Sequence, residues 1–185
     1  MKNLTFILGG ARSGKSTYAE QLAKETGEAV LYAATAEVLD NEMRERVRQH
    51  RLRRPETWGT VECPHDAADA IRAELRKTHY SCVLLDCLSI LASNTLLDLP
   101  EESTEAAIYE TFFRKELLPL LTLIREYPDT RFIIVSNEVG MGVVPATSLG
   151  RKYRDLLGRA NQCIAASADF FYFTLAGVPI PIKSL

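Results

Sequence analysis

Short apolar runs alternate along the chain with longer stretches in which apolar positions recur at helical spacing. The runs are rich in β-branched and aromatic side chains. They lie at residues 4–8, 29–34, 82–86, 131–137 and 169–175. Continuous apolar strands that alternate with helices are typical of α/β proteins with a mostly parallel central sheet covered by helices on both faces. No repeat or linker interrupts the pattern, so we predict a single domain over residues 1–185.

The C-terminal segment TLAGVPIPIK departs from this pattern. Ala176 and Gly177 can reverse the chain, and VPIPI can return as an antiparallel strand. Pro179 and Pro181 remove backbone donors, which an edge strand tolerates and a central strand does not. We therefore predict an antiparallel hairpin at the C-terminal edge of the sheet.

Composition limits the classes of partner. Of the 185 residues, 46% are hydrophobic and 25% are charged, and the formal net charge is −2. This balance is typical of a globular protein, and it gives no electrostatic basis for binding nucleic acid. No run approaches the ~18 apolar residues of a membrane span. The four cysteines are scattered without metal-ligand spacing, which favours reduced thiols and a cytoplasmic protein.

The segment GGARSGKS, Gly9–Ser16, fits the pattern G-x-x-x-x-G-K-[ST] between a predicted strand and a predicted helix. Such a loop turns its backbone N–H groups toward phosphate oxygens, at the positive end of the helix. Lys15 would reach the outer phosphates and the Ser16 hydroxyl would bind Mg²⁺. The alternative is a tight turn without a ligand, but the Lys-Ser ending favours a nucleoside triphosphate site.

Asp86 ends the apolar run CVLLD. A carboxylate at the end of a buried strand, accompanied by a P-loop, can hold Mg²⁺ directly or through water. Apolar strands that end in Asp are common, so this prediction depends on the P-loop.

Six arginines lie within residues 44–54 around His50. On a predicted helix over residues 37–54, His50 continues an apolar stripe, so it could be a core histidine. A dry core could not accept so many guanidinium groups, however. A solvated, partly paired helix face is a second alternative, but Glu42 and Glu45 cannot balance six bases. Because guanidinium groups match phosphate oxygens, the cluster indicates a polyphosphate partner. Nearby positive charges would also keep His50 neutral, as a nucleophile requires.

Several motifs together resemble one enzyme family. They are GGARSGKS, the block from VLYAATAEV through HRLRRPETW to VEC, LLDCLS, VSNEVGMGVVP and GRKYRDLLGRANQ, and they span nearly the whole chain. They are similar to the bifunctional adenosylcobinamide kinase / adenosylcobinamide-phosphate guanylyltransferases. The resemblance implies a P-loop NTPase fold of the RecA-like type, acting in cobalamin biosynthesis.

The resemblance also implies a two-step reaction. Adenosylcobinamide is first phosphorylated by a nucleoside triphosphate, ATP or GTP. GMP is then transferred from GTP to adenosylcobinamide phosphate through a guanylyl-histidine, which gives adenosylcobinamide-GDP and pyrophosphate. His50 matches the position of that histidine. The alternatives are a P-loop small-molecule kinase in which His50 only contacts phosphate, and a nucleotide-switched binding protein without phosphate transfer. The family further suggests a homo-oligomer, with a trimer as the expected form.

The remaining site residues follow from the same resemblance. Lys15 and His50 are the implied catalytic residues, and Ser16 and Asp86 the implied metal ligands. Asp86 could instead contact the base or ribose. The implied nucleotide-binding residues are Gly9, Gly10, Ala11, Arg12, Ser13, Gly14, Lys15, Ser16, Ala34, Thr35, Ala36, Arg51, Leu52, Arg53, Arg54, Glu62 and Asp86.

NEVGMGVVP has no unique interpretation. Asn137 and Glu138 end a predicted strand at the carboxyl edge, where open α/β sheets bind ligands. The alternative is a connection to the next helix that only shapes the loop.

Overall fold

A computed structural model describes residues 3–27, 29–37 and 55–184. Within these residues, one sheet contains seven strands in the order β3-β2-β4-β5-β1-β6-β7. Its strands are β1 Leu4–Gly9, β2 Val30–Ala34, β3 Gly59–Glu62, β4 Cys82–Asp86, β5 Arg131–Asn137, β6 Phe170–Leu175 and β7 Val178–Ser184. Every neighbouring pair is parallel except β6 and β7, which are antiparallel. The predicted fold class and C-terminal edge hairpin are confirmed.

The described helices connect the strands over both faces of the sheet. They are α1 Lys15–Glu25, α2 Ala67–Lys77, α3 Leu88–Leu97, α4 Glu105–Phe112, α5 Leu118–Glu126 and α6 Ser148–Ser167. A π-helical turn, Phe113–Leu117, joins α4 to α5. Thus the long amphipathic stretch around residues 105–126 is helical throughout but changes its winding near the middle. No described helix has the length and apolar character needed to cross a membrane.

The core consists of two layers, one on each face of the sheet. Phe6 belongs to the larger layer and the adjacent Ile7 to the smaller one, and both are fully buried. Because successive strand side chains point to opposite faces, a central strand needs apolar residues at every position. The larger layer is closed by α2, α3, α4, α5 and α6, whereas α1 supplies Ala19 and Ala23 to the smaller layer.

Two elements were not anticipated from the hydrophobic pattern. Strand β3 has only four residues, GTVE, and their exposure alternates at the sheet edge. Helix α3, LSILASNTLL, follows β4 after one residue, and most of its residues are buried, although Leu97 is exposed. Its apolar residues are spread around the helix, so no amphipathic period reveals it. Both elements matter for the site because they flank the carboxyl ends of β2 and β4.

Candidate active site

The loop after β1 folds as a compact cradle at the carboxyl edge of the sheet. Ser13 N donates to the Gly10 carbonyl at 3.2 Å, and Arg12 and Gly14 adopt φ values of 57° and 96°. These left-handed conformations reverse the chain immediately before α1, whose first residue is Lys15. Ala11 and Arg12 are exposed, whereas Gly9 and Ser13 are buried. The loop thus forms a tight turn at the N-terminus of α1, where the sequence predicts that phosphate binds.

Lys15 lies over this cradle. Its Nζ donates to the Gly10 carbonyl at 3.0 Å, so the side chain folds back across the loop. Burial lowers the pKa of the Lys15 ammonium, while the neighbouring Cys87 and Asp86 act to raise it. The ammonium of the loop lysine and the carboxylate at the end of β4 therefore interact electrostatically, and the phosphate and metal site that they would form stays a prediction.

Asp86 is held from the neighbouring strand. The Tyr32 hydroxyl donates to Asp86 Oδ2 at 2.8 Å, and Asp86 pairs in register with Ala34 at the end of β2. Tyr32 is almost completely buried, at 3% exposure. Because the Tyr32 ring is buried and held in place, its hydroxyl group fixes the orientation of the Asp86 carboxylate.

Thr35 ties the ends of β2 and β4 together. Its backbone N–H donates to the Asp86 carbonyl at 3.3 Å. Its hydroxyl donates to the Cys87 carbonyl at 2.9 Å and accepts from the Cys87 N–H at 2.8 Å. The side chain is fully buried, so it holds Asp86 in place rather than presenting its hydroxyl to solvent. Ala36 follows it, half-buried.

Glu62 occupies the corresponding position on the outer strand. It ends β3 and pairs in register with Ala34, and it is exposed. Because the carboxyl ends of parallel strands lie at one edge of the sheet, the predicted residues Ala34, Glu62 and Asp86 come together in one row. Glu62 lies farther from the P-loop strand than Asp86 does.

The predicted transferase residues His50, Arg51, Leu52, Arg53 and Arg54 lie outside the described residues. The structure resumes at Pro55, whose carbonyl accepts from the Trp58 N–H at 3.1 Å. Trp58 is buried in the smaller core layer, and β3 begins directly after it. Pro55 and Trp58 thus lie directly before the strand that carries Glu62.

The C-terminal hairpin braces the cradle, which the sequence did not indicate. Thr174 Oγ1 lies 2.8 Å from Ser13 Oγ, and the Gly177 N–H donates to the Ser13 carbonyl at 2.8 Å. A Cβ on Gly14 would lie 2.9 Å from Gly177 Cα. The signal that could have revealed this contact is Gly14, because only a residue without Cβ at this position lets the backbone of the hairpin turn approach so closely.

Glu138 serves the loop after β5. Its carboxylate accepts from the Gly140 N–H at 2.5 Å and from the Met141 N–H at 3.1 Å. Its own N–H donates to the Gly9 carbonyl at 3.0 Å. These bonds support the loop-shaping interpretation for Glu138.

His65 and the cysteines take no comparable position. His65 contacts Glu37 and Asp98, at 3.2 and 3.5 Å. Burial raises the pKa of the Cys63 thiol to about 12 and those of Cys82 and Cys87 to about 11. Because only a thiolate is strongly nucleophilic, these buried thiols are chemically inert at neutral pH.

A family model described as "Cobinamide kinase / cobinamide phosphate guanyltransferase" (CobU) matches residues 5–182. The chain belongs to this family. The cobinamide kinase / guanyltransferase family was also the resemblance drawn from the motifs, and that prediction is confirmed.

Individual relatives support the same assignment. The chain is 44% identical over 178 residues to the bifunctional adenosylcobalamin biosynthesis protein CobP of Pseudomonas aeruginosa, covering 96% of this chain and 95% of that protein. It is 37% identical to the bifunctional adenosylcobalamin biosynthesis protein CobU of Escherichia coli, covering 97% and 99%. The CobU protein of Salmonella typhimurium matches at the same identity and coverage.

A solved structure supports the fold alone. The crystal structure of the RadB recombinase superposes with a TM-score of 0.51 at 14% identity, covering 92% of this chain and 73% of that one. This likeness agrees with the RecA-like P-loop architecture that the sequence predicts.

Proposed function

We propose that this chain phosphorylates adenosylcobinamide with a nucleoside triphosphate and then transfers GMP from GTP to the resulting phosphate. Membership of the cobinamide kinase / guanyltransferase family supports both steps. The structural observation that carries the kinase step is the cradle at Gly9–Ser16, with Lys15 folded over it and placed near Asp86. An ammonium beside preorganised N–H groups can stabilise the charge that spreads over a phosphoryl group in transfer.

In the kinase step, the terminal phosphate of ATP or GTP would lie in the cradle. The hydroxyl of adenosylcobinamide attacks the terminal phosphorus, the bond to the bridging oxygen breaks, and the nucleoside diphosphate leaves with the electron pair. Lys15 would neutralise charge on the phosphate oxygens during this displacement. The backbone N–H groups of Gly10–Ser16 would bind the inner phosphates.

Mg²⁺ fits the donors at this edge of the sheet. Ser16 follows Lys15 in the first turn of α1, and the Asp86 carboxylate is oriented by Tyr32. Hydroxyl and carboxylate oxygens suit Mg²⁺, which completes its shell with phosphate oxygens and water. In the described part of the chain, no cluster of three or more His, Cys, Asp or Glu could hold a metal. The ion would therefore be shared with the nucleotide, and when bound it would offset phosphate charge.

In the guanylyl step, we propose that His50 carries GMP. A ring nitrogen of neutral His50 attacks the α-phosphorus of GTP, a nitrogen–phosphorus bond forms, and pyrophosphate leaves. The phosphate of adenosylcobinamide phosphate then attacks the same phosphorus and releases His50, which gives adenosylcobinamide-GDP. The local excess of arginine supports this assignment, because guanidinium groups can hold the departing pyrophosphate.

The nucleotide-binding set remains part of the proposal. Backbone groups near Ala34 and Ala36 would contact the nucleotide, with Thr35 holding Asp86. Glu62 would contact the base or ribose at the outer end of the row. Arg51, Leu52, Arg53 and Arg54 would complete the GTP site beside His50.

The test uses GTP labelled at the α-phosphate. Wild type should acquire an acid-labile, base-stable label, and His50→Ala should not. His79→Ala changes an exposed histidine and should label like wild type. If wild type remains unlabelled while it phosphorylates adenosylcobinamide, the chain is a P-loop kinase without the covalent step. If mass analysis detects neither phosphate nor GDP adducts, the proposed function is wrong.

The proposal includes a single cytoplasmic domain that assembles into a homo-oligomer, a trimer. All four cysteines are free, as expected in a reducing compartment. The outer face of the C-terminal hairpin exposes apolar side chains that a partner subunit could cover. They are Leu175, Val178, Ile180 and Ile182.

A further inference from the structure

Asn137 ends β5, the strand between the P-loop strand and the strand that carries Asp86. It pairs in register with Gly9, the first residue of the cradle, and Val135 on the same strand pairs with Asp86. The Asn137 backbone is therefore placed at the carboxyl edge, between the proposed phosphate site and the proposed metal ligand.

The side-chain amide of Asn137 is only half satisfied. Its Nδ2 donates to Ser89 Oγ at 3.1 Å. Its Oδ1 is buried and has no hydrogen-bond partner among the described residues. The backbone carbonyl of Asn137 accepts from Asn161 Nδ2 at 3.1 Å, so the main chain is fixed independently. Buried polar atoms without partners are rare, and one at the edge of a ligand site indicates a partner that arrives with the ligand.

Ser89 determines which hydrogen bonds the Asn137 side-chain amide can make. It lies in the first turn of α3, with its Oγ 2.9 Å from Cys87 Sγ, and its carbonyl accepts from the Tyr153 hydroxyl at 3.2 Å. A hydroxyl both donates and accepts. The Asn137 amide can therefore rotate by half a turn and keep its bond to Ser89. After this rotation, Nδ2 occupies the position of the unpartnered Oδ1, and its N–H₂ group can donate to an anion.

We infer that the Asn137 amide donates to the terminal phosphoryl group of the bound nucleoside triphosphate, with Ser89 as its positioning residue. This inference rests on the proposed kinase activity and adds a catalytic residue to that site. A neutral donor suits this place, because Lys15 already supplies positive charge. A preorganised N–H directed at the transferring group stabilises the charge that it carries in the transition state.

The test compares Asn137→Ala and Asn137→Asp in the phosphate-transfer reaction. Loss of one preorganised donor should lower kcat by about 10²-fold, with little change in KM for adenosylcobinamide. Asn137→Asp keeps the shape but cannot donate when ionised, so it should be at least as impaired. Ser89→Ala, which frees the amide to misorient, should lower kcat by about tenfold, less than either Asn137 variant.

Binding provides a second measurement that does not need the acceptor substrate. Calorimetry should show that Asn137→Ala weakens the binding of a non-hydrolysable GTP analogue but leaves the affinity for GDP unchanged, because GDP lacks the terminal phosphate. Thr95→Ala is the control. It removes a buried hydroxyl that donates to the Leu91 carbonyl within α3, and it should change neither kcat nor the affinities for GDP and the GTP analogue.

Three outcomes would overturn the inference. The first is a wild-type kcat in a folded Asn137→Ala protein, and the second is a near wild-type kcat in Asn137→Asp. The third is an equal loss of affinity for GDP and for the GTP analogue in Asn137→Ala. Thermal unfolding of each variant establishes folding. If wild type transfers no phosphate, the proposed function fails, yet the comparison of GDP with the analogue still tests the contact made by Asn137.

Discussion

The Lys15 side chain is half-buried, and its hydrogen bond to the Gly10 carbonyl offsets part of the free-energy cost of burying the ammonium group. An ammonium has three N–H donors, so Lys15 can keep this bond while donating to phosphate oxygens. Desolvation that lowers its pKa also makes the positive charge more effective, because fewer waters compete with the phosphate.

Lys15→Ala should lower kcat for phosphate transfer by about 10²–10³-fold, since it removes the positive charge that we propose acts on the outer phosphates. Steady-state assays with adenosylcobinamide and GTP measure this effect. Lys24→Ala removes an exposed lysine at the far end of the same helix and should retain wild-type rates. Equal losses in both variants would contradict the assignment of Lys15.

Thr35→Val should lower the free energy of unfolding by about 1–3 kcal/mol, because it leaves the buried Cys87 N–H and carbonyl without their partner. Thr35→Ser retains the hydroxyl and should lose less. Urea unfolding of the two variants measures the difference. A valine variant as stable as the serine variant would show that the Thr35 hydroxyl does not hold this junction.

At the scale of elements, Glu116 connects the π-helical turn to the start of α2. Its carboxylate accepts from the Asp66 and Ala67 N–H groups, at 2.8 and 3.1 Å. Burial raises the pKa of Glu116, although these bonds act to lower it. The folded protein therefore holds this proton more tightly than the unfolded chain does. The group stabilises the fold most below the ordinary carboxyl pKa and contributes less as the pH rises through the raised value.

The side chain of Glu116→Gln does not titrate. The unfolding free energy of wild type minus that of Glu116→Gln should therefore fall as the pH rises above the ordinary carboxyl pKa. Chemical denaturation at a series of pH values measures the difference. Glu110→Gln, which changes an exposed glutamate on α4, controls for the loss of one negative charge. A difference that rises with pH would reverse the assigned direction.

Because the cradle packs closely against the hairpin, we expect Gly9 and the adjacent Gly10 to differ in how much an alanine substitution destabilises the protein. A Cβ on Gly9 would lie 2.2 Å from Thr174 Oγ1 and 2.7 Å from the Thr174 carbonyl oxygen, whereas a Cβ on Gly10 would meet nothing within 4 Å. Gly9→Ala should cost about 1–3 kcal/mol of unfolding free energy through overpacking. Gly10→Ala should change it by less than about 0.5 kcal/mol. Equal costs would contradict the close packing.

Elements could be predicted from the sequence wherever a periodic pattern exists. The P-loop, the central strands and the C-terminal hairpin follow from motif spacing, continuous apolar runs and paired prolines. Strand β3 is too short and half-exposed to form an apolar run, and α3 shows no helical period because its apolar residues are spread around the helix. The unpartnered amide oxygen of Asn137 and the buried hydrogen bonds between Thr35 and Cys87 depend on tertiary packing, which no local sequence pattern encodes.

At the scale of the whole molecule, the apolar outer face of the hairpin bears on the proposed assembly. Ile180 and Ile182 are 41% and 58% exposed on the edge strand. Sedimentation should give a mass near three times the chain mass of 20.7 kDa. Ile180→Lys with Ile182→Lys should shift the protein toward monomer, because burying two ammonium groups in an interface is costly. Leu97→Lys alters an exposed leucine elsewhere and should leave the mass unchanged. A wild-type monomer would contradict the trimer.

The position of β1 in the sheet has a consequence for the order in which the cradle can form during synthesis. Residues 4–9 are made well before their partner strands, which are residues 131–137 and 170–175. The cradle also depends on contacts of Ser13 with Thr174, 161 positions later in the sequence, and with Gly177. A chain that stops before Thr174 carries the complete P-loop motif but lacks these contacts. We therefore expect that shortening the chain before Thr174 abolishes nucleotide binding.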